Sequence, residues 1–340
     1  MEFKLKLKVG VLAIIGMLSF TASAQKASKN FVWGINGHPL TQKAYLNNLD
    51  EQIKSLNDLK VSSYRFDVLL DPQGNAKKES QFIEVLSKLK SNNISTLLVL
   101  MQTGLKGLDA QGIYQASFDQ GKNFATKYGD IISVVEISNE ADNKILLPGD
   151  LTGLKEADYD LAKAQKIIAG IKGFSDGLKA VKPAVKVSIS VSYIHFYYLQ
   201  LLQDNNVNYD IIGCHWYSNM GDITNARPPV GNALLRVSQQ FKKPIWITEF
   251  NYGKGSLKVT FEKQKEYLYK TIPQIISQGI ISGFFIYELY DQPELRPRYP
   301  LETSYGLIKK DSTGRMMEKD AYAGYKQVIQ GFLQNQKKAR

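Results

Sequence analysis

Apolar, β-branched runs alternate with amphipathic helical stretches through nearly the whole chain. The apolar runs predict strands at 31–36, 61–68, 94–101, 132–140, 187–193, 209–217, 244–250 and 281–290. Helical spacing predicts helices at 45–59, 80–89, 118–128, 159–181, 195–202, 230–241, 261–277 and 319–333. Eight such units predict a closed parallel (β/α)8 TIM barrel, a single α/β domain over 25–335 with one catalytic face at its open strand ends. A doubly wound sheet is the competing fold, and the lack of a glycine-rich phosphate loop disfavours it.

The first 24 residues have the pattern of a secretory signal. Three lysines precede an apolar run over 9–20, and Ala22 and Ala24 form a small-residue cleavage site. The run is shorter than the roughly 20 apolar residues that a membrane span needs. We therefore expect cleavage before Gln25, no stable membrane insertion afterwards, and export to a bacterial periplasm or outside the cell. An uncleaved N-terminal anchor is the alternative, and residues 336–340 are expected to form a basic tail.

The chain carries a formal net charge of +11 at pH 7. Such an excess attracts anionic partners, but the lysines are scattered and no nucleic-acid module is present, so we expect no nucleic-acid partner. An acidic polysaccharide stays open as a substrate. Cys214 is the only cysteine, so no intrachain disulfide forms, and its apolar strand predicts a small buried side chain. The sequence carries no signal for the oligomeric state.

Two glutamates follow apolar strands that lie far apart in the chain. Glu140 ends the fourth predicted strand, and Glu249 ends the seventh. A carboxylate is costly to bury without a task, so the pair indicates a two-carboxylate active site. In an eight-stranded ring these strands place both groups at one mouth on facing walls. Carboxyl groups about 5 Å apart cleave a glycosidic bond by double displacement, and a gap of roughly 6.5–9.5 Å inverts the anomeric centre instead. The sequence leaves that gap open.

Several short motifs on these strands resemble the clan A retaining glycoside hydrolases, most of all their family 39 and family 5 branches. The likeness covers essentially the whole chain after residue 24. The residues that carry it are Arg65, Asn139-Glu140, His215-Trp216-Tyr217, Glu249, Tyr305-Gly306-Leu307 and Lys319-Asp320-Ala321-Tyr322.

The resemblance implies a secreted enzyme that cleaves β-glycosidic bonds of a polysaccharide or oligosaccharide without a cofactor. It implies Glu140 as the general acid/base and Glu249 as the nucleophile. The acid must be protonated and the nucleophile ionised, so we expect different surroundings for the two groups. Arg65 and Tyr217 are expected to favour the ionised form of Glu249. A structural ion pair between Arg65 and Asp67, on the same strand face, is the alternative.

Other polar and aromatic residues at the strand ends are candidate sugar ligands. By resemblance Asn139 binds the hydroxyl next to the scissile bond, with a turn-forming role as the alternative. His215 points the same way as Tyr217 and is predicted as a substrate contact or a hydrogen-bonded core histidine. Glu136 needs a buried partner and is not assigned to catalysis. The remaining candidates are His38 and Gln102.

Strand eight departs from the family pattern. Many clan members have a tryptophan platform there, whereas this chain has Tyr287 and Tyr290, either of which can stack on a sugar ring. Segments 141–157 and 292–304 are expected to wall the cleft. Within the second segment, Arg296 and Arg298 are candidates for recognising an acidic sugar.

Other chemistries have little support. The chain has three histidines, His38, His195 and His215, without the helical spacing of a zinc protease, so we expect no metal. The one Gly-x-Ser-x-Gly match, at 173–177, falls inside a predicted helix rather than at the turn of a nucleophile elbow. A carbohydrate-binding barrel without turnover and a transglycosylase that uses the same residues are the alternatives to hydrolysis.

Overall fold

The computed structural model describes residues 31–338, and its core is a closed barrel of eight parallel strands in sequential order, β1 to β8. This confirms the predicted (β/α)8 TIM barrel. The strands are β1 Val32–Gly37, β2 Ser63–Leu69, β3 Ser95–Met101, β4 Val134–Ile137, β5 Lys186–Ser192, β6 Ile211–Tyr217, β7 Ile245–Asn251 and β8 Ile281–Ile286. The predicted signal at 1–24 lies outside the described residues.

Helices cover the outside of the barrel and follow the predicted alternation. They are α1 Leu49–Leu59, α2 Glu79–Ser91, α3 Ala110–Tyr128, α4 Ala141–Ile145, α5 Leu161–Val181, α6 Phe196–Asp204, α7 Ala233–Phe241, α8 Phe261–Ser277 and α9 Asp320–Lys338. The helix predicted at 195–202 is therefore present as α6. Helix α9 extends to Lys338, so residues 336–338 of the expected tail are helical. No helix within 31–338 is long and apolar enough to cross a membrane.

Two predicted strands are shorter than expected, and both shortened ends carry site residues. Strand β4 ends at Ile137 because Ser138 and Glu140 adopt left-handed backbone conformations, with φ of 66° and 44°. Strand β8 ends at Ile286, and the Leu289 amide turns to donate to the Asn36 carbonyl of β1. A small antiparallel pair, β9 Ile308–Lys310 and β10 Met316–Glu318, was missed because each strand has only three residues.

The barrel interior is apolar at its closed end and polar toward its open end. Leu97, Ile211, Trp246 and Phe285 form a separate buried cluster inside the ring, with the Trp246 and Phe285 rings stacked at 5.8 Å. Above this layer the inward positions carry charged and hydroxyl side chains. Apolar packing thus closes one end and leaves the polar groups at the strand ends that form the mouth.

The Gly-x-Ser-x-Gly match at 173–177 has a packing role in α5. A Cβ atom at Gly173 or Gly177 would collide with main-chain carbonyl oxygens of α3, those of Tyr114 and Phe118. The Ser175 hydroxyl donates to the Asn208 carbonyl. These small residues let two long helices approach closely, and the serine is not a nucleophile.

Substituting Gly177 tests this packing. We expect Gly177→Ala to lower the free energy of unfolding by about 1–3 kcal/mol, because the new methyl group meets rigid backbone. Gly170→Ala in the same helix is the matched control, since its Cβ would have its nearest neighbour at 3.4 Å. That variant should leave stability unchanged or raise it by up to about 1 kcal/mol. Denaturant unfolding measures both, and equal effects would contradict the close helix contact.

Candidate active site

Glu140 lies at the start of α4, directly after the end of β4. Its left-handed backbone turns the chain from strand into helix, and its main-chain amide donates to Ser190 Oγ at 3.0 Å. The side chain accepts from Ser192 Oγ at 3.1 Å, His215 Nδ1 at 2.9 Å and Asn143 Nδ2 at 3.0 Å. Its side chain is 27% exposed, so it faces the open mouth while three donors hold it.

Glu249 lies within β7, and a β-bulge directs it inward. Between β6 and β7, Cys214 pairs with Ile247, and the next residue of β6, His215, pairs with Glu249. Thr248 is therefore an extra residue on β7 and has no partner on β6. Trp246, three residues before Glu249, also points into the barrel. A regular strand would put these two side chains on opposite faces, and the bulge allows both to point inward.

The two glutamates confront one another across the mouth. Oxygen atoms of Glu140 and Glu249 and a ring nitrogen of His215 all lie within 4.8 Å of one another. This is the facing arrangement that strands four and seven predict. His215 is fully buried and contacts both carboxylates, at 2.9 Å from Glu140 and 3.5 Å from Glu249.

Arg65 on β2 lies beneath the pair and joins the strands around it. Its guanidinium donates to Glu249 Oε1 at 2.8 Å and to Glu136 Oε1 at 2.6 Å. It also donates to the side-chain oxygens of Asn36 and Asn139, at 2.6 and 2.8 Å. Arg65 is thus the buried partner that the position of Glu136 requires. Asp67 pairs with His38 instead of Arg65, so the alternative Arg65–Asp67 ion pair is not formed.

Tyr217 completes the surroundings of Glu249. Its hydroxyl donates to Glu249 Oε2 at 2.5 Å, so both oxygens of that carboxylate accept a hydrogen bond. The Glu249 side chain is only 8% exposed. Arg65 and Tyr217, the two residues predicted beside Glu249, thus both contact its carboxylate.

The electrostatics of Glu140 differ from the sequence expectation. Burial raises the pKa of its carboxyl, but the hydrogen bond and charge of His215, with bonds from Ser192 and Asn143, offset this and lower the pKa from 4.5 to about 2. Burial lowers the pKa of His215, and the charge of Glu249 and the bond to Glu140 raise it overall. The hydrogen bond between these two groups thus lowers the pKa of Glu140 and raises the pKa of His215.

A second network lies behind the site, on the side of β1 and β8. His38 Nδ1 bonds Asp67 at 2.6 Å, and its Nε2 lies 3.5 Å from Glu288 Oε2. Glu288 is fully buried and accepts from the Tyr45 hydroxyl at 2.6 Å. Gln292 Nε2 donates to both of its oxygens, at 2.9 and 2.7 Å. His38 is thereby fixed at the edge of the mouth, where it lines the cavity.

A cavity of about 530 Å³ opens over the two glutamates. Of the predicted site residues, Arg65, Asn139, Tyr217, His38 and Tyr287 line it together with Glu140 and Glu249. Sequence reasoning missed several further lining residues as ligands. They are Asn36, Gln42, Asp67, Asn143, Ser192, Asn219, Met220, Glu302 and Tyr305. The rings of Tyr217, Tyr287 and Tyr305 lie 5.4–6.3 Å apart and form one aromatic wall.

Three predicted substrate ligands do not line the cavity, and the first is His215, which is fully buried and is the hydrogen-bonded core histidine of the two predicted alternatives. Gln102 Nε2 donates to Gln120 of α3 at 3.1 Å, which ties the end of β3 to the outer helix. Tyr290 is buried against Tyr45, with ring centroids 5.0 Å apart, and its main-chain amide donates to the Tyr45 hydroxyl at 2.9 Å. Of the two strand-eight tyrosines, Tyr287 is the one at the mouth. Arg296 and Arg298 are exposed and do not line the cavity.

Within residues 31–338, one group of side chains has the spacing of metal ligands, and it is Glu140, His215 and Glu249. The protein already satisfies these atoms. Arg65 and Tyr217 donate to the two oxygens of Glu249, and His215 donates to Glu140. The cluster fits acid–base chemistry better than a cation site, because a guanidinium lies against it.

The buried carboxyl of Glu288 predicts a pH dependence of stability. Burial raises its pKa from 4.5 to about 7, although His38, Tyr45 and Gln292 lower it. The folded state then binds a proton that the unfolded state has released, so this group's contribution to stability falls as pH rises from about 4.5 to 7. The loss is on the order of 3 kcal/mol. We expect Glu288→Gln to flatten this part of the profile in unfolding measurements between pH 4 and 8.

The exposed Glu262→Gln variant on α8 is the control for that measurement and should retain the wild-type slope. Equal slopes for wild type and Glu288→Gln would show that Glu288 does not titrate in this range.

Residues 158–299 match the family model described as the glycosyl hydrolase catalytic core, a range that contains His215, Tyr217 and Glu249. No curated protein matches this chain.

Solved structures of glycosidases share the fold. A β-glucosidase from Thermotoga maritima, in complex with N-octyl-5-deoxy-6-oxa-N-(thio)carbamoylcalystegine, superposes with a TM-score of 0.67 at 14% identity, over 89% of this chain and 98% of that chain. A family 1 β-glucosidase from the same organism gives 0.63 at 14% identity, with the same coverage. The β-glycosidase BGL167 gives 0.61 at 15% identity, over 88% and 96%. The resemblance to the family 39 and family 5 branches stays a prediction. The chain is thus similar to glycosyl hydrolases over residues 158–299, and these solved glycosidases share its barrel fold.

Proposed function

We propose that this protein is a retaining β-glycosidase that acts on a polysaccharide or oligosaccharide, with Glu140 as acid/base and Glu249 as nucleophile. One observation carries the proposal: oxygens of the two carboxylates lie within 4.8 Å of each other. This separation suits double displacement, because an inverting enzyme needs roughly 6.5–9.5 Å to admit a water molecule.

The surroundings of the two groups support these roles. Glu249 is nearly buried, and Arg65 and Tyr217 each donate to one of its oxygens and hold it still, as a nucleophile requires. It attacks the anomeric carbon while Glu140 protonates the departing oxygen. In the second step Glu140 takes a proton from water, which then releases the sugar from Glu249.

The proton for the first step comes from the His215–Glu140 pair. The donor in the empty site is the imidazolium form of His215, whose Nδ1 lies 2.9 Å from Glu140 and which becomes a neutral imidazole when it gives up the proton. A sugar bound in the cavity excludes water from the partly exposed Glu140, which disfavours the charged carboxylate and raises its pKa. The proton then moves along the hydrogen bond to Glu140, where it faces the glycosidic oxygen.

The cavity lining favours a neutral sugar over an acidic one. Four carboxylates line it, those of Asp67, Glu140, Glu249 and Glu302, against the single guanidinium of Arg65. The aromatic wall that includes Tyr287 and Tyr305 can stack on the C–H face of a sugar ring. Because structural neighbours are β-glucosidases, β-glucosides and β-glucans are the first substrates to test.

The stereochemical course tests the proposal directly. We expect the first product seen by ¹H NMR to keep the β configuration. Glu140→Gln should lower kcat/KM about 10²–10⁴-fold on glycans, whose sugar leaving group needs protonation. Glu249→Gln should reduce turnover to background, and the exposed Glu262→Gln variant should match wild type. An initial α product would contradict retention.

A wild-type protein that binds glycans but releases no reducing ends would instead support the non-catalytic carbohydrate-binding barrel. Products longer than the substrate at high acceptor concentration would support transglycosylation by the same residues.

We also propose that the enzyme is exported, on the strength of the signal pattern at 1–24. Expression of the full chain in a bacterial host should yield a periplasmic or secreted protein whose N-terminal residue is Gln25. Mass spectrometry of the fractions checks this. A full-length protein retained at the membrane would support the uncleaved anchor instead.

A further inference from the structure

Strand β5 presents serines at alternate positions toward the barrel, and the upper two contact Glu140. Ser190 Oγ accepts the Glu140 main-chain amide at 3.0 Å, and Ser192 Oγ donates to Glu140 Oε1 at 3.1 Å. Ser188, the lowest of the three, is buried and its hydroxyl has no hydrogen-bond partner among the described residues. The two ends of Glu140, its amide and its carboxylate, are thus both held by one strand.

A buried hydrogen bond between Asp142 and His195 holds the end of that strand. Asp142, two residues after Glu140 in α4, is fully buried. Its Oδ2 accepts from the Ser192 main-chain amide at 3.0 Å and lies 2.6 Å from His195 Nδ1. His195 precedes α6, so the pair connects α4, the end of β5 and the start of α6 at one oxygen atom.

This connection acts on the orientation of Glu140. The residue has a left-handed backbone, which for a non-glycine residue costs energy and persists only when its surroundings enforce it. Asp142 lies in the same helical turn as Glu140 and accepts the Ser192 main-chain amide. It thereby holds Ser192 in the position from which the Ser192 hydroxyl donates to the Glu140 carboxylate. The contacts form a closed path from Glu140 through Ser192 and Asp142 back to the backbone of α4.

We propose that Asp142 and His195 form a positioning pair, which acts through Ser192 to aim the Glu140 carboxyl at the glycosidic oxygen. This inference rests on the proposed function, because it assigns a task to the surroundings of the acid/base. Neither Asp142 nor His195 lines the cavity, so they act on the reaction through Ser192 and Glu140 alone.

Leaving-group dependence separates positioning from a merely structural role. A general acid accelerates departure of a basic leaving group and contributes little when the leaving group is already a stable anion. A variant that misplaces Glu140 should therefore lose activity on phenyl β-glycosides and keep it on 2,4-dinitrophenyl β-glycosides. A variant that damages the fold loses activity on both.

The experiment measures kcat/KM for phenyl, 4-nitrophenyl and 2,4-dinitrophenyl β-glycosides of the sugar that wild type hydrolyses best. We expect Ser192→Ala, Asp142→Asn and His195→Ala each to lose about 10-fold or more on the phenyl glycoside and less than about twofold on the dinitrophenyl glycoside. His195→Asn, which can place an amide nitrogen near Nδ1, should recover part of the loss. Ser188→Ala, on the same strand, should match wild type on every substrate.

Glu140→Ala provides the reference for this series. If it shows the leaving-group pattern and Ser192→Ala, Asp142→Asn and His195→Ala lose activity uniformly or not at all, the positioning pair is wrong and the proposed function stands. If Glu140→Ala itself shows no leaving-group pattern, the acid/base assignment fails and the positioning inference fails with it. Should Asp142→Asn not fold, Ser192→Ala and the two His195 variants still decide the outcome.

Discussion

The site depends on one buried cation, the guanidinium of Arg65. It is 3% exposed, and it pairs with two carboxylates that the fold also buries, those of Glu136 and Glu249. Burial lowers the pKa of Arg65, but these two carboxylates raise it overall, so it stays charged. A buried charge is tolerable only when it is paired and fully hydrogen-bonded, and here the remaining donors reach Asn36 and Asn139. The same bonds that make this burial tolerable fix the positions of strands β1, β2, β4 and β7 at the mouth.

Regular barrel geometry alone does not bring the reactive groups together. An extra residue at Thr248 turns Glu249 inward, and a left-handed turn at Glu140 directs that side chain back over the strand ends. Both departures cost backbone energy, which the surrounding hydrogen bonds offset. The scaffold is regular where it packs apolar side chains, and it is irregular at the two places where the chemistry needs a particular direction.

Apolar periodicity was sufficient to predict the eight strands, because a strand buried on both faces shows in the sequence as a continuous run. The facing of Glu140 and Glu249 followed from strand order, and the common face of His215 and Tyr217 followed from the alternation of side chains. The bulge at Thr248 could not be predicted, since it depends on register with the neighbouring strand. Ser192 and Tyr305 were missed for a related reason: an unremarkable serine and a loop tyrosine become site residues only through contacts with residues distant in sequence.

Gln102 and Tyr290 show the opposite error. Each follows an apolar strand, as true lining residues do, but the local backbone turns one toward α3 and the other toward Tyr45. Position at a strand end thus reduces the number of candidate cavity residues but does not show which of them face the cavity. Selection comes from the bend of the loop, which the apolar pattern does not encode.

The charge of the inner cluster bears on the proposed reaction. Three glutamates, Glu136, Glu140 and Glu249, outnumber the two basic side chains of the cluster, Arg65 and His215, so its excess charge is negative. Moving the proton from His215 to Glu140 leaves that excess unchanged, because both groups belong to the cluster. The transition state of glycoside cleavage develops positive charge on the sugar ring, directly above these groups. A fixed negative excess in a partly desolvated mouth stabilises that charge more than it stabilises a neutral ground-state sugar, which is the condition for faster chemistry and not only tighter binding.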